Sequence, residues 1–470
     1  MLQGSVAASS SATAVRGPVA KAMALALLVG GTAGFAGSVA ADETQVSTAP
    51  IIDYEFYQAP GATDGMMAFI DGDMRLWESY VDTNGNFYTN KNGVASGQQV
   101  FLDACASPSP QFGNGVEWMQ DANGIYLIYT KFVTPDCVPT NIQGYPTTTK
   151  GISFPTWATV ANATIGLATY ANGVWGTPVS LPGSSQFIEP VGNVNPLQTD
   201  VPAVFRYEYQ STNQTLYYQG VNDAAPTAVR GPQFKSFQSP GPAPTSTSSG
   251  TERYVPGMNA LVYTAETTDA DGTAEREAWM YDLTTKTYTQ LTSDVNSGGN
   301  DKGDKSAIFM WQAPEFNNDY VFFAESKVVI GNHTTYNINF YHNQFVTADN
   351  KNEWVRVYQI TKGNSPTDAP PYIWSPEPFV FNGKSYVFFE RCTSDPTDLH
   401  VATHIYLVSM DDTVNTELSD PTLTVQPVRM DPEVFITAQG PYIYYNEYNV
   451  KSAAPTGVWR SNTNLGAPAP

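Results

Sequence analysis

Apolar and polar residues alternate along most of this chain with the two-residue period of β-strands, and stretches with a helical period are nearly absent. The alternation comes as pairs of aromatic-rich runs joined by tight turns. Trp374-Ser-Pro-Glu-Pro-Phe-Val-Phe381 passes through Asn382-Gly383 into a second run ending Tyr386-Val-Phe-Phe389. Asp431-Pro-Glu-Val-Phe435 passes through Gln439-Gly440 into Tyr442-Ile-Tyr-Tyr445, and Trp311-Gln-Ala-Pro-Glu-Phe316 leads to Tyr320-Val-Phe-Phe323. Weaker copies join Asp200–Phe205 to Leu216–Tyr218, Val255–Met258 to Leu261–Tyr263, Val116–Gly124 to Ile125–Tyr129, and Met66–Ile70 to Leu76–Tyr80.

Pro202, Pro256, Pro314, Pro376 and Pro432 mark the five later copies and follow one another at nearly even intervals. A period of about 60 residues in an all-β sequence predicts a β-propeller, each unit one blade of about four strands. Seven blades of about 60 residues fill residues 41–470 as a single domain. Five or six blades, a β-sandwich array or two smaller β domains stay open, because the stretch between Val116 and Pro202 is irregular. The blade after Trp374 reads as strands Glu377–Phe381, Tyr386–Glu390, His404–Ser409 and Leu423–Val428. That after Trp311 continues with Tyr336–Tyr341 and Trp354–Ile360, and the preceding blade offers Ala278–Leu283 and Thr287–Leu291. The last copy runs out of chain before a fourth strand. Residues Ile51–Tyr57 stand free at the other end to supply it, closing the ring and removing an exposed edge. Residues Ser239–Gly250 read as a flexible insertion.

Composition narrows the function. Of 470 residues, 41% are hydrophobic and 13% aromatic, enough to build a large core and to exclude general disorder. Only 14% are charged, and 44 acids against 23 bases leave −21, without the basic stripe a nucleic-acid partner needs. Arg16 and Lys21 precede an apolar run, Ala22–Ala36, and Ser38-Val39-Ala40 supplies the small residues of a cleavage site. Residues 1–40 are therefore expected to be a signal peptide, placing the protein outside the cell or in the periplasm. Removing those two bases leaves the mature chain at −23. No other run is apolar enough to span a membrane, and a monomer is expected. Cys105 and Cys137 are placed to form a disulfide across a long loop, leaving Cys392 free and buried; other pairings stay open. Three Asn-x-Thr sequons, at Asn162, Asn213 and Asn332, matter only in a host that glycosylates exported chains.

In a propeller the innermost strand of each blade faces the central channel. The repeat places acids near the start of that strand: Glu117, Asp200, Glu315, Glu377, and Asp431 with Glu433. Carboxylates converging on one funnel raise one another's pKa and furnish the acid and base that glycosidic cleavage uses. No cofactor is called for, although a ring of acids also suits calcium. Trp311 and Trp374 are candidate sugar platforms, whereas Trp77 fits a wedge between blades. The four histidines, His333, His342, His400 and His404, fall in two neighbouring blades, which does not suit a metal site drawn from four. Asp82-Thr-Asn-Gly85, Asp121-Ala-Asn-Gly124 and Asp269-Ala-Asp-Gly272 lack the twelfth-position Glu of a calcium loop and read as hairpin turns.

The pairing of Trp374-Ser-Pro-Glu377 with Asp431-Pro-Glu-Val-Phe435, one repeat further on, resembles successive blades of the five-bladed propeller glycoside hydrolases, the arabinanase and β-xylosidase group. The resemblance is specific from Trp374 to Tyr445 and diffuse elsewhere. It implies that Asp431 and Glu377 stand where that group carries catalytic acids. The Glu-Gly-Pro segment of the group's proton donor is not present. Two functions are thus expected: a propeller that binds a glycan or an extracellular or envelope protein at an acidic funnel, or a glycoside hydrolase using Asp431, Glu377, Glu315 and Glu433. Glu117, Asp200, Trp311 and Trp374 would line either site.

Overall fold

The computed structural model describes residues 42–87, 99–107, 115–137, 146–148, 151–152, 155–207, 215–229, 252–268, 274–293, 295–296, 299–300, 303–330, 333–347, 350–360, 372–394 and 398–469. The predicted leader and the 239–250 insertion lie outside them. Among the described residues, seven antiparallel sheets of four strands follow one another along the chain, one of them carrying a fifth short strand. This is the seven-bladed propeller. The inner strands are Ile51–Tyr57, Val116–Asp121, Phe187–Val191, Arg253–Val255, Lys305–Ala313, Tyr372–Phe381 and Val428–Thr437, for blades 1 to 7 in order.

Each blade is sandwiched between two others, so its middle strands are apolar on both faces rather than alternating. In Lys384–Cys392 every residue after Lys384 is buried. The preceding turn is the hairpin expected of Asn-Gly: Asn382 and Gly383 both take positive φ, 47° and 75°, which matches the twist of the flanking strands. The apolar core is divided rather than central. Among the described residues, seven apolar clusters each bridge one pair of adjacent blades, such as Ile373, Phe389 and Val408 against Val321, Phe323 and Phe340 between blades 6 and 5. The seventh interface joins Phe435, Tyr444 and Val458 of blade 7 to Tyr54, Met67 and Phe69 of blade 1, which closes the ring.

The closing strand differs from the expected one. Glu43–Ser47 pairs with Pro455–Asn462 and becomes the outermost strand of blade 7, while Ile51–Tyr57 is the inner strand of blade 1. A latch fastens it. Arg429, fully buried, donates from Nε to Glu43 Oε1 at 2.7 Å and from Nη2 to Oε2 at 3.0 Å, and its Nη1 reaches Thr403 O at 2.8 Å. Tyr445 Oη and the Asp420 amide donate to the same carboxylate at 2.6 and 3.1 Å. The fourth strand of blade 6 is Asn415–Glu417, not Leu423–Val428. Cys105 and Cys137 form a disulfide, and Cys392 is free and buried.

Candidate functional site: an acid ring on the propeller axis

Four inner strands share a local distortion. Their pairing slips between Ile188 and Val191, Ser306 and Phe309, Trp374 and Glu377, and Met430 and Glu433. In each, the residue after the first of these has a positive φ: Glu189 at 55°, Ala307 at 43°, Ser375 at 47° and Asp431 at 58°. These are β-bulges, with a non-glycine residue held in the left-handed region. The slip re-aims the side chains that follow it. It also aligns Glu433 with Glu377, and Asp431 with Ser375.

The acids that meet at the axis are Asp53 and Glu55 from blade 1, Glu117 from blade 2, Glu377 from blade 6, and Asp431 and Glu433 from blade 7. Each of the last five is raised first by loss of hydration. Glu55, Asp431 and Glu433 are pushed well above the usual carboxyl range by burial and then by their acidic neighbours: Glu117 and Glu377 act most on Glu55, Asp53 and Glu390 on Asp431, and Glu377 and Glu55 on Glu433. Burial lifts Glu377 to about 7 and Glu117 to about 8, each tempered by the Arg253 guanidinium. Glu377 keeps 27% of its side-chain exposure although protein surrounds it, so water reaches it.

Arg253, on the three-residue inner strand of blade 4, is the cation that reaches this ring among the described residues. Its Nη2 lies 3.8 Å from Glu377 Oε1, and its guanidinium sits 4.4 Å over the Phe309 ring of blade 5. Asp431 is fixed from both sides: its amide donates to Glu390 Oε1 of blade 6 at 2.8 Å, and its carbonyl accepts from Tyr54 Oη of blade 1 at 3.1 Å. Gly192 lies against Glu117, its amide 3.4 Å from Oε2; any Cβ there would fall 2.0 Å from Trp118 O.

The ring's carboxyl groups have few partners. The side-chain carboxyl groups of Glu55 and Glu433 accept no hydrogen bond from any described residue, and the buried Oδ2 of Asp431 and Oε2 of Glu390 are unpaired. Two acids away from the axis are instead held by their own turns. Asp82 Oδ1 accepts from the Asn84 and Asn86 amides, and Asp121 Oδ1 from those of Asn123 and Gly124, which makes both segments hairpin turns as expected.

Two expected site acids lie elsewhere. Glu315 follows the inner strand of blade 5 in a short 3-10 turn, and its carboxylate accepts from the amide and hydroxyl of Ser385 in blade 6, at 2.5 and 2.8 Å. Trp311 joins the same clasp, donating from Nε1 to Ser385 Oγ at 3.0 Å. Both residues bind blade 5 to blade 6. Ser385→Ala should therefore cost about 1–3 kcal/mol by stranding Glu315, read as a lower denaturation midpoint, and should leave ligand capture at the axis unchanged. Asp200 sits exposed in the connection between the first two strands of blade 3, its amide donating to Asp121 Oδ2 at 3.2 Å. Trp374 is half-buried, one residue before the blade 6 bulge. Trp77 packs edge-on against Phe101 and bonds Asp71, and Trp118 is buried with Nε1 on Glu55 O, so both serve packing.

His400 bonds Val450 O at 3.0 Å and His404 bonds Glu417 at 2.7 Å, so the two do not share a ligand. Among the described residues no three His, Cys, Asp or Glu side chains are placed to hold a metal ion. No described helix is long and apolar enough to cross a membrane.

No protein-family model and no curated protein sequence matches the chain. Solved structures with a similar chain trace include an oligogalacturonate lyase from Vibrio parahaemolyticus, at 11% identity and a TM-score of 0.44 over 90% of this chain and 94% of that one. A thermostable family-43 glycoside hydrolase (9%, TM-score 0.29, 57% and 86%) and an endo-arabinase from Bacteroides thetaiotaomicron (10%, 0.30, 57% and 91%) are others. The likeness is one of propeller architecture; it says nothing about the acids.

Proposed function

We propose that this is an exported propeller that binds a glycan at the axial acid ring. The observation that carries this reading is the shortage of donors around Glu55, Asp431 and Glu433. Glu433 is buried and Glu55 and Asp431 are half-buried; polar groups so placed are ordinarily hydrogen-bonded, and sugar hydroxyls are the donors that such acceptors would take. A second reading, hydrolysis of the bound glycan, is favoured by Glu377 near 7 and Glu117 near 8, since such groups still carry a proton to give at neutral pH.

One experiment tests both. Glycan-array binding is followed by assay of reducing-end release from the hits, on the parent and on Asp431→Asn and Glu433→Gln. Loss of about tenfold or more in affinity in either variant supports the site; unchanged binding in both removes it. Release that disappears in Asp431→Asn establishes the hydrolase, and binding without release establishes the binding module.

A further inference from the structure

We propose that the glycan taken by the acid ring carries a free ammonium group: an amino-sugar oligomer rather than a neutral or acidic one. This rests on the glycan-binding reading and specifies its substrate class. The ring gathers six carboxyl groups from blades 1, 2, 6 and 7 against the one guanidinium that reaches it among the described residues. That guanidinium is held to one side, stacked on Phe309 and drawn to Glu377. Glu433 is only 7% exposed, is surrounded by Glu377, Glu55, Asp431 and Glu117, and its carboxyl group accepts no hydrogen bond from a described residue.

A neutral sugar supplies hydrogen-bond partners but no charge that would let these crowded acids ionise. An anionic one adds to it, with Arg253 as the counterweight. An ammonium group supplies three donors and a compensating charge at once, and a bond from a charged donor to a carboxylate is the stronger kind. A sugar bearing one ammonium per ring also distributes charge along its length, as the acids are distributed over four blades.

Binding a cation draws the ring towards its ionised form. The groups that face it are Asp53, Glu55, Glu117, Glu377, Glu390, Asp431 and Glu433, with Tyr54, Tyr448 and Arg253. Uptake of an ammonium ligand at pH 6 should therefore release protons, whereas uptake of a neutral sugar should not.

The test compares a glucosamine tetramer with its fully N-acetylated counterpart, by titration calorimetry at pH 6 in two buffers of different ionisation enthalpy. The two ligands share a backbone and differ in the ammonium. The expected result is about ten- to a hundred-fold tighter binding of the glucosamine tetramer, with proton release. Glu433→Gln should erase most of that preference. Arg253→Gln, which removes the competing cation, should bind the glucosamine tetramer more tightly than the parent does.

Equal affinity for both tetramers, or weaker glucosamine binding in Arg253→Gln, overturns the proposal. If neutral glycans bind on the array and lose affinity in Asp431→Asn while the glucosamine tetramer does not bind, the ammonium inference falls and the glycan site stands. If no glycan binds at all, both fall. A lysine tetrapeptide binding as tightly as the glucosamine tetramer overturns the assignment to a sugar.

Discussion

Replacing Arg429 by alanine should destabilise the folded ring by about 3–5 kcal/mol, the usual cost of stranding one member of a buried ion pair. The guanidinium is fully buried, and its loss would leave the Glu43 carboxylate, already enclosed by Tyr445 and the Asp420 amide, without its counter-charge. Glu43→Ala should act similarly from the other side. The double change Glu43→Gln with Arg429→Met should be milder than either single alanine change, because it removes both charges while keeping volume. Chemical denaturation of the four proteins reads the order directly. If the single variants unfold with the parent, the N-terminal strand is not what closes the propeller.

The second large effect is on pH. In the unfolded chain Glu377 and Glu117 titrate near 4.5, and in the folded one near 7 and 8. Between those values the folded state holds protons that the unfolded state has shed. Unfolding free energy therefore falls as pH rises, by about 1.4 kcal/mol per unit for each fully affected group. Stability should be greatest near or below pH 5 and decline to pH 8. The combined variant Glu377→Gln, Asp431→Asn and Glu433→Gln should remove the share of that slope due to these three groups, leaving that of Glu117, and melt above the parent at pH 8. A parent melting temperature that is flat from pH 5 to 8, or a triple variant less stable at pH 8, would show that these carboxyl groups are not crowded in the folded protein. A binding site that destabilises its own scaffold is a familiar trade.

The propeller is legible in the chain because its signals are local and repeated: Asn-Gly turns, apolar middle strands and a period of blade length. Register within a blade is less so. Pro376 and Pro432 sit in the inner-strand bulges, but Pro256 and Pro314 occupy the turns after the inner strands, and Pro202 directly precedes the second strand of blade 3. Lining up Trp311-Gln-Ala-Pro-Glu315 with Trp374-Ser-Pro-Glu377 thus matches a turn to a bulge, which draws Glu315 and Trp311 into a site they do not share. The true counterpart in blade 3 is Glu189-Pro190 at its bulge, an acid-proline pair like Asp431-Pro432; the proline period points to Asp200 instead.

Asp53 and Glu55 escape a reading by repeats because their strand looks like the one that closes the ring. Glu390 carries a signal, being an acid directly after the apolar run Tyr386–Phe389. Arg253 carries none. It stands on a strand of three residues and gains its role only from the blades opposite, which no local pattern encodes.

The recurrent bulge has a consequence for how such a site arises and changes. In blades 3, 5, 6 and 7 the same backbone detour presents glutamate, alanine, serine and aspartate in turn. The position behaves as a socket: the hydrogen-bonded ladder around it tolerates different occupants, so exchanging them edits the chemistry of the axis without rebuilding a blade. Duplication of a blade would copy the socket along with the strand, and a lineage can then fill copies independently. The bulge is in that sense modular, spelled by a few interchangeable letters on a frame that stays the same.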